Sequence, residues 1–255
     1  MFQTVESAFE RHGVLRAQAL NDGINGTIKI LEQLYAGYSD GVLKDIEIEQ
    51  ESDSIIIKGG VVIYQGKLYY LEKEFQIQLR QNNKRQILKI RFLEVQNKDG
   101  LKKWTTDVVL DENDIVRSNE MEICRFQHQP GAKLYSANGN FKEYATEYNM
   151  INIINTPFAA CGQSTVSVGI TMAFSEELMK KELKDPFDIA FCLECQRGQA
   201  VQRKSIIHYI GYKLNMNKTE MSNQEIYAYL AKILESGDSR VTERPRMRDQ
   251  RMIII

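Results

Sequence analysis

Residues 41–79, GVLKDIEIEQESDSIIIKGGVVIYQGKLYYLEKEFQIQL, admit very few folds. The stretch is a series of short apolar alternations and runs punctuated by turn residues, the pattern of short strands. Ile46 and Ile48 alternate with Asp45, Glu47 and Glu49, giving one apolar and one wet face. Asp53-Ser54 turns the chain into the isoleucines 55–57, and Gly59-Gly60 breaks that run. Residues 61–64 follow, then a tight Gln65-Gly66 turn into residues 68–71. Phe75, Ile77 and Leu79 alternate with Gln76 and Gln78. Hairpins at this spacing predict a small antiparallel sheet, with no catalytic group at its turns.

Helices are expected ahead of this stretch. Phe2, Val5 and Phe9 line one face of a short helix, and Thr27 caps a second with Ile28, Leu31, Leu34 and Tyr35 on one stripe. Gly23 and Gly26 lie between them, but no strand precedes these glycines and no Gly-Lys-Ser/Thr follows, so a turn is expected and not a phosphate loop. After residue 79, Leu88, Ile90 and Phe92 face one way and Lys89 and Arg91 the other, a further strand. Residues 102–110 and 121–128 predict two more. Asp111, Glu112 and Asp114 lack the spacing of a calcium loop, so a solvated acidic turn is expected. The charges nearly cancel, 33 Lys plus Arg against 34 Asp plus Glu, so no overall field favours nucleic acid or an anionic membrane. The first residues hold no apolar leader core, and no 18-residue apolar span occurs; a soluble chain made in the cytoplasm is expected.

Two segments carry a resemblance. AQALNDGING, residues 17–26, is similar to the "Ala-x-x-Leu-Asn-x-x-x-x-Gly" entry segments of many tailed-phage fibre and baseplate proteins. The strand-rich stretch after it, with its "Gly-Gly-Val-x-x-x-x-Gly-Lys-hydrophobic" hairpin at residues 59–68, resembles the module those proteins often carry next. Together the match covers residues 10–95. The resemblance implies a structural virion protein of a phage tail or baseplate that links tail and fibres, synthesised in the host cytoplasm. It implies self-assembly, with a trimer as the first expectation, and contacts with other tail or baseplate proteins. The family offers no catalytic residues. A carbohydrate- or receptor-binding module of the tail is the alternative.

The second half changes character. Residues 129–149, with Pro130-Gly131 and Asn138-Gly139-Asn140, predict a long irregular connection, and Val166, Val168 and Ile170 a further strand. Ser164 and Cys161 lie near glycines but in no nucleophile elbow, and no histidine base is assigned to either. Ser175 is expected to start a short helix; Asp185-Pro186 restarts one, with Asp as N-cap and Asp188 in the first turn. Ile206, Ile210 and Leu214 mark a third helix, and Ser222 with Glu225 a capping box over the stripe Ile226, Tyr229, Leu230, Ile233 and Leu234. Four cysteines, 124, 161, 192 and 195, are too scattered for a disulfide framework. Cys192-x-x-Cys195 has a zinc or redox spacing, but it lies inside a helix and Cys124, Cys161, His128 and His208 supply no second pair. A packed helix face is expected, with His208 as a core or interface histidine.

Residues 240–255, SRVTERPRMRDQRMIII from Ser239, have the most unusual composition. Arg240, Arg244, Arg246, Arg248 and Arg251 precede Met252, Ile253, Ile254 and Ile255. Four large apolar residues left in water are an association hazard, so this segment is expected to dock on a neighbouring subunit, arginines on acidic groups and isoleucines as an added strand. The resulting expectation is α+β: a helical lead-in (1–40), an antiparallel β domain (41–130), an irregular connection with a strand (131–174), a helical domain (175–239) and the tail (240–255). No enzyme, cofactor, metal or nucleic-acid site is expected.

Overall fold

The structure, a computed structural model, describes residues 33–44, 46–70, 74–80, 82–96, 102–137, 139–181, 183 and 185–236. The expected lead-in helices up to residue 32 and the tail at 240–255 lie outside them. Six short strands come first: β1 (Gly41–Lys44), β2 (Glu47–Glu51), β3 (Ser54–Lys58), β4 (Val61–Tyr64), β5 (Lys67–Tyr70) and β6 (Phe75–Gln78). They form two antiparallel sheets, ordered β1-β4-β5 and β2-β3-β6, where the local pattern predicts one. The division falls at Gly59 and Gly60, whose φ angles of 57° and 115° swing the chain off β3 and onto the other sheet. A Cβ on Gly60 would lie 2.5 Å from Cγ1 of Ile46, so only glycine lets that side chain close over the corner.

A third sheet, ordered β8-β7-β9, joins β7 (Arg85–Gln96), β8 (Lys102–Asp111) and β9 (Glu120–Gln127). Ile55, Ile57, Val62, Leu88, Ile90 and Phe126 from the three sheets share one core, where the Tyr64 ring stacks on Phe92 at 3.9 Å. Lys89, expected on the wet face of β7, is instead buried at 1% exposure. Its ammonium donates to the Asn113 and Ile115 carbonyls at 3.0 and 2.7 Å and to Asp111 at 3.3 Å, with the Glu120 carboxylate 3.8 Å away. The loop after β8 thus wraps its acceptors around a lysine, which offsets the desolvation of the charge.

The connection contains a parallel pair, β10 (Tyr135–Ser136) with β11 (Met150–Ile151), and a 3-10 turn at Phe141–Ala145. It is the seam between two cores: Leu134, Ile151 and Phe158 pack into the β core, and Phe141, Tyr144, Ile154 and Val166 into a helical one. Its backbone extends two sheets. Val42 of β1 exchanges hydrogen bonds with Pro157 and Ala159, both 2.8 Å, and Arg125 of β9 with Asn152.

Four helices follow: α1 (Val168–Met179), α2 (Pro186–Cys195), α3 (Arg203–Leu214) and α4 (Asn223–Glu235). Of the strand expected at Val166, Val168 and Ile170, Val168 and Ile170 open α1 and Val166 lies just ahead of its N-cap, so the helix begins well before Ser175. The Ser167 hydroxyl accepts the Gly169 N–H at 3.1 Å, and Ile170, Ala173, Phe174 and Leu178 form a helical stripe over the core. Asp185 caps α2 by accepting from Phe187 N–H, with Pro186 in the first turn. Ser222 and Glu225 form the capping box of α4, at 3.2 and 2.8 Å. Burial of Ile226, Leu230 and Ile233 contributes about 1.5–3 kcal/mol each. The fold class is α+β, antiparallel sheets before helices, as the periodicities predict. No helix among the described residues is long and apolar enough to cross a membrane.

Candidate functional site

The residues expected to dock on a partner, Arg240, Arg244, Arg246, Arg248, Arg251, Met252, Ile253, Ile254 and Ile255, all lie outside the described residues. Two surface features of the described part call for an account: an apolar helix face and a cleft between the two cores.

The face belongs to α2. Successive residues of an α-helix are about 100° apart, which puts Asp188, Phe191, Cys192 and Cys195 on the inner half, and all four are buried. Pro186, Ile189, Ala190 and Leu193 fall on the outer half and are exposed, with Phe187 at its flank. A helix apolar on both halves is normal in a core and unusual at a surface. On one side α1 lies against α2, Met179 Sδ 3.6 Å from the Gln196 amide. On the other lies α3, with the Tyr209 ring stacked on Phe191 at 3.9 Å and Tyr212 4.6 Å from Phe187. Eleven large apolar side chains are exposed among the described residues, and five of them, Met179, Phe187, Ile189, Leu193 and Tyr212, form this one strip across three helices.

Beneath the strip the inner half of α2 is fixed by polar contacts. Asp188 accepts from the Tyr209 hydroxyl and the Lys213 ammonium, both at 2.8 Å. Burial pushes the Tyr209 phenol far up, and its hydrogen bond to Asp188 pushes the same way. Cys192 and Cys195 sit on this inner face as expected from the sequence. Burial raises the Cys192 thiol to about 11 and Cys195 further still, so neither offers a thiolate near neutral pH. Cys124 is buried in β9 with its thiol also raised by burial, whereas Cys161 is exposed. His128 is buried with Nε2 against the Ala132 carbonyl at 2.8 Å. His208, expected in a core or an interface, is exposed, because Ile206, Ile207, Tyr209 and Ile210 occupy the inward side of α3. Among the described residues no three His, Cys, Asp or Glu side chains converge as metal ligands would.

The cleft, about 930 Å³, opens between the β1-β4-β5 sheet and the turn from α2 to α3. Tyr35 and Tyr38, edge to face at 5.3 Å, form one wall with Leu68 and Phe158. Glu194 and Arg197 form the other and make no ion pair among the described residues. No cleft was legible in the sequence, since its lining comes from three separate segments, around Tyr35 to Leu68, around Phe158 and around Glu194.

The acidic turn holds its charges in pairs. Glu112 accepts from Arg80, Asn82 and Lys84, and the Lys84 contact leads in holding its carboxyl below the usual range. Asp111 is lowered chiefly by the Asn113 N–H, with Lys89 adding to it. Burial would raise Glu120, but the Arg117 N–H, the Arg91 guanidinium at 2.9 Å and Lys89 together hold it low. Comparison with protein-family models, with curated proteins and with solved structures finds no match to this chain.

Proposed function

We propose that this chain is a structural subunit of a phage tail or baseplate, assembling with itself and with neighbouring proteins to join fibres to the tail. The observation that carries assembly is the strip on α1, α2 and α3, where Leu193 is 59% and Tyr212 57% exposed. Contiguous apolar surface of this kind marks an interaction site. The assignment to a tail particle rests on the entry segment at residues 17–26 and the hairpin motif at 59–68, whose turn the structure forms at Gln65 and Gly66. The test is immunogold labelling of tailed particles purified from the host. Gold at the tail end is expected; a chain abundant in the cell lysate and absent from the particles refutes the proposal.

The cleft favours a second reading, a carbohydrate- or receptor-binding module. Two tyrosine rings in one cleft with a carboxylate and a guanidinium that make no ion pair among the described residues suit a saccharide, which stacks its ring faces and hydrogen-bonds its hydroxyls. Retention on a glycan array that Tyr38→Ala abolishes, with particle incorporation unchanged, supports this second reading over pure scaffolding.

A further inference from the structure

The strip on α2 is too small to be half of a free-standing dimer interface. Five large apolar side chains on three helices make it up, whereas a stable protein interface takes about 20–30 residues on each partner. A strip of that size suits one short apolar segment laid across a helix face. Outside the described residues the sequence contains one run of more than two consecutive large apolar residues, Met252-Ile253-Ile254-Ile255.

We infer that the outward face of α2 is the seat for residues 252–255 of a second copy of this chain. The inference rests on the self-assembly reading above, which selects a second copy over the same chain. Ile253 to Ile255 cover Ile189, Leu193 and the Phe187–Tyr212 pair, groups that otherwise stay in water. The five arginines approach over Glu176 of α1 and Glu194 of α2, carboxylates with no ion pair among the described residues, while Glu177, Asp185 and Asp188 are already held by Lys180 and Lys213. The α4 terminus is anchored beside α1, where Lys181 Nζ donates to the Leu234 carbonyl. The 16 residues from 237 to 252, at about 3.3 Å each when extended, span about 50 Å.

Full-length Leu193→Lys (face destroyed, tail intact) and Ile254→Asp (tail destroyed, face intact) test this by light scattering. The unaltered chain is expected to be an oligomer, and each variant a 29.4 kDa protomer. An equimolar mixture of the two variants should recover a one-to-one heterodimer, because one good tail and one good face remain. Leu193 is exposed, so melting of the Leu193→Lys protomer should stay within a few degrees of the parent. If the parent is an oligomer and both variants keep its mass, the inference is wrong while self-assembly stands. If the parent is a monomer, self-assembly and the inference both fail. If the mixture stays monomeric, exchange of tails between copies is wrong.

Discussion

Replacing Lys89 with methionine tests how far the loop after β8 depends on one buried cation. Methionine is unbranched and only one heavy atom shorter, and it removes the charge. The substitution strands the Asn113 and Ile115 carbonyls and takes one of two cations from Glu120, whose side chain is only 2% exposed. Removing one partner of a buried ion pair costs about 3–5 kcal/mol, and Arg91, which stays bound to Glu120 at 2.9 Å, places the loss near the lower figure. A loss of about 3 kcal/mol lowers the melting temperature of a chain this size by about 6–12 °C. The pH dependence has a definite sign. Glu120 and Asp111 are both held below their unfolded values, so their stabilisation is present above the ordinary carboxylate range and is lost as pH falls through their folded values. The gap between parent and Lys89→Met in urea unfolding should therefore be full at pH 7 and narrow in acid. Glu120→Gln added to Lys89→Met should cost less than the two single changes summed, since the contact they share is already broken. A cost below about 1 kcal/mol, or a gap that is constant with pH, refutes the account.

Three further outcomes are expected. Ser222→Ala removes half of the capping box and should cost about 1 kcal/mol, read in urea, with faster amide exchange in the first turn of α4. Gly60→Ala meets both a φ of 115° and the Ile46 side chain, and should cost about 1–3 kcal/mol from the backbone alone; adding Ile46→Ala relieves the clash but leaves that torsional part. Iodoacetamide at pH 8 should label one thiol per chain promptly, Cys161, with Cys124, Cys192 and Cys195 reacting only after denaturation, as mass spectrometry of the digest will show.

The strands between Glu47 and Gln78 were legible because each is a short apolar alternation or run bounded by its own turn residues. The same is true of Asp185-Pro186 and of Ser222 with Glu225, caps that need only a few neighbouring residues. What stayed hidden depended on distant partners. Alternation says that Ile55 and Ile57 face inward, but not that Ile55 pairs with Ile77 while Val62 pairs with Val42. Val166, Val168 and Ile170 fit a strand over five residues; the stripe through Phe174 and Leu178 reveals a helix only over a longer window. Lys89 looked solvent-facing because its acceptors arrive from a loop more than twenty residues on. The strip on α2 was visible as composition, since Phe187, Ile189 and Leu193 stand in sequence, yet which of them lacks a cover is decided by α1 and α3.

The way the first six strands are threaded also limits how they form. β1 reaches over the β2–β3 hairpin to find β4, and β6 reaches back over the β4–β5 hairpin to find β3, so the two long-range pairings cross each other, as the base pairs of a pseudoknot do. Each hairpin can close on its own in about 1–10 µs, but each long-range pairing must loop out a hairpin of the other sheet, and both sheets pack into one core. These strands should thus be acquired and lost as one cooperative unit, with uniform hydrogen-exchange protection across β1, β3 and β4. A chain cut between Gly59 and Gly60 leaves two fragments, each holding strands whose partners are on the other, and the fold returns only when both are mixed.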